Sequence, residues 1–422
     1  MIDAERSAGV VFRLSVMMFL QFFVWGAWYV SMTGFMVEKS MGGLIPAAYS
    51  VGPIAAIVSP FFLGLIADRF FATERVLGVL HIVGGGVLFL APSVARAFNV
   101  ESDGSAFLQP YTLVLLGHML CYMPTLGLTT SLSFHNLPNR EKQFPLVRVW
   151  GTIGWIVGNI AVSMLPGKDQ AAQQFYMAGG AAVLLGLFSF TLPHTPAPSK
   201  GKKPTLSEII GLDSLSLLAK PNYLIFILAS FLLCIPLAGY YAYARMYVEA
   251  AGAVVNESAV FTMSFGQMSE ILFMLVMPLC FARLGVKWML AVGMLAWVVR
   301  YGLFALGWDD RVVWMVLGGV LLHGICYDFF FVTGMIYVDQ AARKEIRSQA
   351  QGFLVLVTQG LGMLIGANAF GALVAKYTTQ TPGMPDVLDW QKIWMIPALF
   401  AAVVMVGFIL FFRPKAAAKA EA

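Results

Sequence analysis

The chain has 422 residues, of which 59% are hydrophobic and only 12% charged, with a formal net charge of +5. A soluble domain carries about 25% charged residues, whereas apolar runs of about 20 residues, long enough to cross a bilayer as a helix, recur here from end to end. This excludes a soluble enzyme, and the scatter of basic residues at segment ends excludes a nucleic-acid surface, leaving a polytopic helical membrane protein.

Twelve spans are expected. The first, 14–36, is too long for a signal-peptide core, contains Gln21 and lacks a clear cleavage site, so it reads as a membrane helix. Gln21, Trp25 and Trp28 share part of one face; Gln21 is expected to line a cavity and Trp28 to sit in an interfacial belt. Further spans follow near 44–66, 75–97, 108–134, 145–165 and 173–192. Gly84-Gly85-Gly86 lies inside the third span without a GK[ST] signature, so it reads as close helix packing rather than a phosphate loop. The segment 193–221, with Pro196, Pro198, Lys200, Lys202, Lys203 and Pro204, reads as a linker in which 206–210 forms a short surface helix. The later spans fall near 222–247, 256–281, 287–307, 312–338, 349–375 and 391–412. Pro236 is expected to break the seventh span. The organisation is thus a six-helix unit over 1–192, a cytoplasmic linker over 193–221, and a six-helix unit with a short tail over 222–422. Cys121, Cys234, Cys280 and Cys326 lie in apolar segments without CxxC spacing and read as small hydrophobes, with no disulfide and no metal.

Lys and Arg in the short loops set the orientation. With both termini cytoplasmic, 18 of the 27 basic residues fall inside and 6 outside. The remaining three, Arg148, Arg245 and Arg300, fall within or at the edge of spans. Gly64-Leu65-Ile66-Ala67-Asp68-Arg69 after the second span is echoed by Phe281-Ala282-Arg283-Leu284-Gly285-Val286-Lys287 after the eighth. Asp68 and Arg69 are expected to latch an inner gate or, equally, to act only as orientation signals.

Charges at bilayer depth are costly and usually face a cavity. Glu270 lies mid-way along the eighth span, with Gln267 one turn earlier on the same face. Together they suit the hydroxyls and base edges of a polar neutral solute; the alternative is a structural carboxylate. Asp328 is equally deep in the tenth span and suits a proton that binds and leaves during a cycle, though spacing does not decide between Asp328 and Glu270 as its carrier. His323 is four residues before Tyr327 on one face and is a candidate for solute contact or proton relay. Arg148, Thr152 and Trp155 form an i, i+4, i+7 stripe offering an anchor, a hydroxyl and an aromatic plane. Arg148 also lies close enough to the cytoplasmic end to snorkel. Tyr241 is a further candidate in the seventh span. No catalytic constellation, nucleotide-hydrolysis motif or metal cluster is seen, so neither an enzyme nor a cofactor is expected and an ion gradient supplies the energy.

Two six-helix units joined by a long inside loop resemble the major facilitator layout, whose sites lie at the midplane. Narrower stretches carry a closer resemblance. They are Leu20-Gln21-Phe22-Phe23-Val24-Trp25-Gly26-Ala27-Trp28, Tyr122-Met123-Pro124-Thr125-Leu126-Gly127-Leu128 and Arg148-Val149-Trp150-Gly151-Thr152-Ile153-Gly154-Trp155. Gln267-Met268-Ser269-Glu270, Tyr327-Asp328-Phe329-Phe330, Ser348-Gln349-Ala350-Gln351-Gly352 and Asp389-Trp390-Gln391-Lys392-Ile393-Trp394 complete the set. The chain resembles the bacterial nucleoside–proton symporters along its whole length. The resemblance implies a monomeric multi-pass protein of the inner membrane that takes up nucleosides with protons by alternating access. It implies a nucleoside site lined by Arg148, Thr152, Trp155, Gln267, Glu270 and Tyr327, with Asp328 linked to the proton. His323 stands where the family commonly has Tyr, and Ala238 and Tyr241 replace polar amides, so base or ribose contacts differ in detail. A carrier of the same fold for a sugar or nucleobase remains open as an alternative; a non-transporting sensor would be expected to carry a further soluble domain or a long tail.

Overall fold

The computed structural model describes residues 2–62, 71–98, 104–137, 140–196, 212–343, 346–380 and 386–413. Asp68, Arg69 and the expected surface helix at 206–210 lie outside them. The described residues are almost wholly helical, as lipid requires: a helix satisfies its own backbone polar groups where no water can. Ten helices among them are long and apolar enough to cross a membrane.

Before the 197–211 segment the order is α1 (Ile2–Gly26), α2 (Met32–Glu38), α3 (Ile45–Phe62), α4 (Thr73–Leu88), α5 (Ala91–Arg96), α6 (Pro110–Asn136), α7 (Arg140–Ser163) and α8 (Gln173–Ser189). After it come α9 (Pro221–Ala250), α10 (Ala259–Leu306), α11 (Val313–Leu321), α12 (His323–Cys326), α13 (Thr333–Ala341), α14 (Arg347–Val355), α15 (Met363–Lys376) and α16 (Trp390–Phe411). A two-residue pair of strands, Thr378–Thr379 and Val387–Leu388, closes the loop before α16.

Local chemistry sets several boundaries. Pro110 and Pro221 open α6 and α9, where a missing N–H costs nothing. Ser258 caps α10 by accepting from the Phe261 N–H at 3.1 Å, and Asp389 caps α16 through the Lys392 N–H, also at 3.1 Å. Within the 48-residue α10 the backbone breaks at Gly285, with φ 65° and ψ 177°. That is a left-handed conformation which glycine adopts at little cost.

The structure corrects the sequence reading at four places. The first span is two helices, α1 and α2, separated by a turn over 27–31. Its glycine end is forced by packing: a Cβ on Gly26 would lie 2.5 Å from the Trp155 carbonyl oxygen, so α1 and α7 touch at backbone distance. Trp28 is wholly buried against His118 and Phe175, not in an interfacial belt. Gln21 does not line a cavity. It is fully buried, donates to Thr125 Oγ1 at 2.7 Å and pairs with His81 Nε2 at 2.8 Å, while Tyr122 donates to its carbonyl. An amide that satisfied holds α1, α4 and α6 together. Finally, Pro236 does not break the seventh span, because α9 runs through it for 30 residues. Elsewhere the expected limits that fall on described residues lie within a few residues of helix ends, except that the eighth and ninth spans, 256–281 and 287–307, are one helix, α10, broken at Gly285; the expected end of the second span at 66 lies outside the described residues.

Gly84 and Gly85 do mark close packing: added Cβ atoms would lie 2.9 Å from Cys121 and 2.7 Å from the Gly179 carbonyl. The cysteines are free, Cys234 and Cys326 fully buried and the other two partly so.

Candidate substrate and proton site

The site begins with a close approach of two helices. Gly324 lies against α10 where a Cβ would come within 2.6 Å of the Ser269 backbone. Ser269 Oγ accepts from the Gly324 N–H at 3.0 Å and lies 2.8 Å from the Leu321 carbonyl. It thereby satisfies backbone groups at the break between α11 and α12. With the backbones that near, His323 Nε2 reaches Glu270 Oε1 at 2.9 Å. Both side chains are buried, at 3% and 12% exposure.

Behind the histidine lies Arg300 of α10, fully buried, its Nη1 3.1 Å from His323 Nδ1. Its guanidinium rests on the Tyr240 ring, 3.3 Å from the centroid, and Tyr240 in turn stacks on His323 at 5.5 Å. On the other side of His323 the Tyr327 ring stacks at 6.3 Å. Tyr327 and Tyr241 both feel the Glu270 charge, as does Asp328.

The helices before the linker approach the same carboxylate. Arg148 is half-buried, packs over the Phe22 ring at 4.3 Å and acts electrostatically on Glu270 together with Arg300. Trp155, two turns on, meets Trp25 edge-on at 5.4 Å and Tyr29 at 6.4 Å. Tyr29 then meets Tyr241 at 5.8 Å. An aromatic layer thus runs unbroken from α7 through the turn at 27–31 to α9. Thr152 lies on the α7 stripe between Arg148 and Trp155, half-buried.

Gln267 is 3% exposed and its Oε1 has no partner among the described residues. Asp328 is fully buried and neither carboxyl oxygen has a partner there. It stands in a π-helical turn, Tyr327–Val332, a widening that recurs at functional sites. Among the described residues no group of His, Cys, Asp and Glu fits a metal ion.

The structure brings Glu270, His323, Tyr327 and Tyr241 into one cluster, with Arg148 and Trp155 facing it across the aromatic layer. Sequence reasoning missed Arg300 and Tyr29. Arg300 had a signal, since it is a charge deep in an apolar span just as Glu270 is. Tyr29 had none, because its place depends on the helix break.

The sequence profile described as nucleoside H+ symporter matches residues 8–417. The chain belongs to that family. YegT of Escherichia coli strain K12 is 38% identical over 411 residues, covering 95% of this chain and 93% of YegT. Nucleoside permease NupG of the same strain is 31% identical over 418 residues, 96% of each chain. The crystal structure of nucleoside transporter NupG superposes at TM-score 0.82 with 30% identity, over 96% of this chain and all of that one. A D-xylose–proton symporter structure, 13% identical, matches at TM-score 0.72 and speaks to the fold alone. The fold is that of the major facilitator transporters.

Proposed function

We propose that this protein takes up nucleosides with protons across a bacterial inner membrane. The observation that carries the reading is the family match along nearly the whole chain. The named relatives are a nucleoside permease and a xanthosine permease, the latter 32% identical over 418 residues.

The chain is read as twelve crossings in two six-helix halves, 1–192 and 222–422, joined by a cytoplasmic linker. Two features support the count beyond the ten long helices. The 48 residues of α10 would extend about 70 Å at 1.5 Å per residue, over twice a bilayer core, and they break at Gly285. The apolar α8 is 17 residues long, enough for one thin crossing. The bias of Lys and Arg supports cytoplasmic termini. The transporter is read as a monomer.

The nucleoside would lie between the halves. The sugar hydroxyls suit Glu270 and the unpartnered Gln267 Oε1, because a carboxylate and an amide oxygen both accept. The base suits the aromatic layer of Trp155, Tyr241 and Tyr327. Arg148 and Thr152 supply donors from the opposite half. The proton is assigned to Asp328. Burying an unpaired carboxylate costs far more than burying the neutral acid, and a proton-binding step uses that difference. Loading then changes which state of the transporter is cheapest, as coupling requires.

The test is uptake of labelled uridine and adenosine into cells lacking their own nucleoside carriers, with and without a protonophore. Saturable uptake that collapses with the protonophore, and no concentrative uptake by Asp328→Asn, is expected. Competition by free bases and by sugars separates a nucleoside carrier from the alternatives. No uptake of either nucleoside, with the protein present in the membrane, overturns the substrate.

A further inference from the structure

We propose that Arg300 is a positioning residue that locks His323 in its neutral Nε2–H tautomer, making His323 a fixed donor to Glu270 and not a proton carrier. The inference rests on the site reading above but concerns a residue that reading does not use.

The argument is one of donors and acceptors. A guanidinium donates at every nitrogen and accepts at none. Arg300 Nη1 is 3.1 Å from His323 Nδ1, so Nδ1 must be the acceptor and bear no hydrogen. A neutral imidazole without a hydrogen on Nδ1 carries it on Nε2. Nε2 is 2.9 Å from Glu270 Oε1, so it donates there and that oxygen accepts. A doubly protonated imidazole would set an N–H against the guanidinium N–H and place a second cation beside it. The remaining neighbours do not undo this. Tyr240 and Tyr327 stack on the two sides of the ring, and Arg148, a further cation, acts on the same carboxylate. Asp328 acts on Glu270, Tyr241 on both Glu270 and Arg300, and Cys326 and Tyr301 on Arg300, while the group within hydrogen-bond distance of Nδ1 is Arg300. Arg300 itself cannot turn away, being fully buried and held against Tyr240 at 3.3 Å.

Two consequences follow. One Glu270 oxygen is permanently engaged by His323, so the other is the acceptor presented to a substrate hydroxyl. And the coupling proton must sit on a carboxylate, because the imidazole has no free nitrogen to take it.

The experiment is solid-state nitrogen NMR on the full-length protein, labelled at histidine and reconstituted in liposomes without substrate. The chain has five histidines, and His323→Gln assigns the signal by difference. A bare Nδ1 and a protonated Nε2 are expected, unchanged from about pH 8 to about pH 6, where a free histidine titrates. Arg300→Met removes the donor, and His323 is then expected to titrate or exchange tautomers within that range. Arg300→Lys keeps a donor and is expected to restore the locked form. As a binding readout, uridine affinity in Arg300→Met should acquire a pH dependence of roughly tenfold across the same range, absent in the parent and in Arg300→Lys. A hydrogen on Nδ1 in the parent, or titration there, overturns the proposal even if the Met variant fails to fold. An unchanged His323 signal in a folded Arg300→Met also overturns it. Because the NMR needs no substrate, failure of the nucleoside reading leaves this test standing.

Discussion

At the residue scale, Glu270 is the group whose chemistry the site is built around. It is approached by a neutral donor, His323, and by the charges of Arg148 and Arg300. Glu270→Gln retains an oxygen that accepts from His323, so the packing should persist. What is lost is charge. A hydrogen bond to a charged group is worth about 1.5–3 kcal/mol against about 1 for a neutral pair. Nucleoside affinity should therefore fall by roughly tenfold with thermal stability nearly unchanged, a split visible by pairing binding isotherms with melting curves. Glu270→Leu differs: it strands the His323 N–H in a buried site, which costs about 1–3 kcal/mol, and should lower the melting temperature as well. Equal melting shifts in the two variants would mean that Glu270 is a structural strut. Trp155→Ala removes the face offered to the base; stacking on an aromatic is worth about 1–3 kcal/mol. Affinity for a nucleoside should drop at least several-fold, while competition by plain sugars, if any exists, should not move.

At the element scale, function rests on how closely helices approach. Gly324 sets the distance between α10 and α12, and hence the Glu270–His323 contact. Gly324→Val would drive a side chain into the Ser269 backbone, so something must shift; overpacking costs about 1–3 kcal/mol. Uptake should fall to near background although neither Glu270 nor His323 is altered, and melting of the purified protein should drop by several degrees. Normal uptake would show that the pair tolerates separation. Such positions explain what the sequence revealed and what it did not. Span limits were legible because apolar length alone fixes them, and Glu270, His323 and Asp328 were legible because polar groups in such runs need a reason. The break at 27–31 was not, because Ala, Trp, Tyr and Val in that stretch do not set it apart from a span interior. It depends on Gly26 meeting the Trp155 backbone, a contact distant in sequence. The π turn at Tyr327–Val332 was equally hidden. It rotates the helix away from 100° per residue, so helical spacing alone does not place the side chains beyond it. Pro236 misled for the opposite reason: a proline signals a break, yet α9 remains helical through it, with Leu233, Cys234, Leu237 and Ala238 around it buried.

At the scale of the molecule, the two groups of helices meet across one end of the bundle. Thr33 Oγ1 donates to the Ala242 carbonyl at 2.8 Å, Asn368 Nδ2 to Ser50 Oγ at 3.0 Å, and Arg245 Nε pairs with Asp169 Oδ2 at 2.7 Å. Lys168 and Glu257 pair at 2.7 Å beside them. Apart from Asn368, in the middle of α15, these residues lie near the loops at 39–44, 164–172 and 251–258. On the orientation proposed above, that end of the bundle is the outer one. On that reading this is a carrier latched outside, and the two ion pairs should not contribute equally. Lys168 holds the Glu257 carboxyl below its ordinary range. That pair is present at neutral pH and is lost as pH falls through the lowered value, but Glu257 is 91% exposed and such pairs are worth little. Asp169 and Arg245 are 6% and 3% exposed, and breaking a buried pair by removing one partner costs about 3–5 kcal/mol, an upper bound here because Glu249 also pairs with Arg245 Nη1 at 2.6 Å. Only the state with the outer end closed incurs that cost, because water reaches both groups once the end opens. Asp169→Ala should therefore shift the population toward the outward-open state, while Lys168→Ala should leave it nearly unchanged. The readout is the distance between spin labels placed on the loops at 39–44 and 251–258. A lengthened distance in Asp169→Ala alone is the expected result. Equal distances in both variants and the parent would mean that the apolar contacts, not the buried pair, hold the outer end shut.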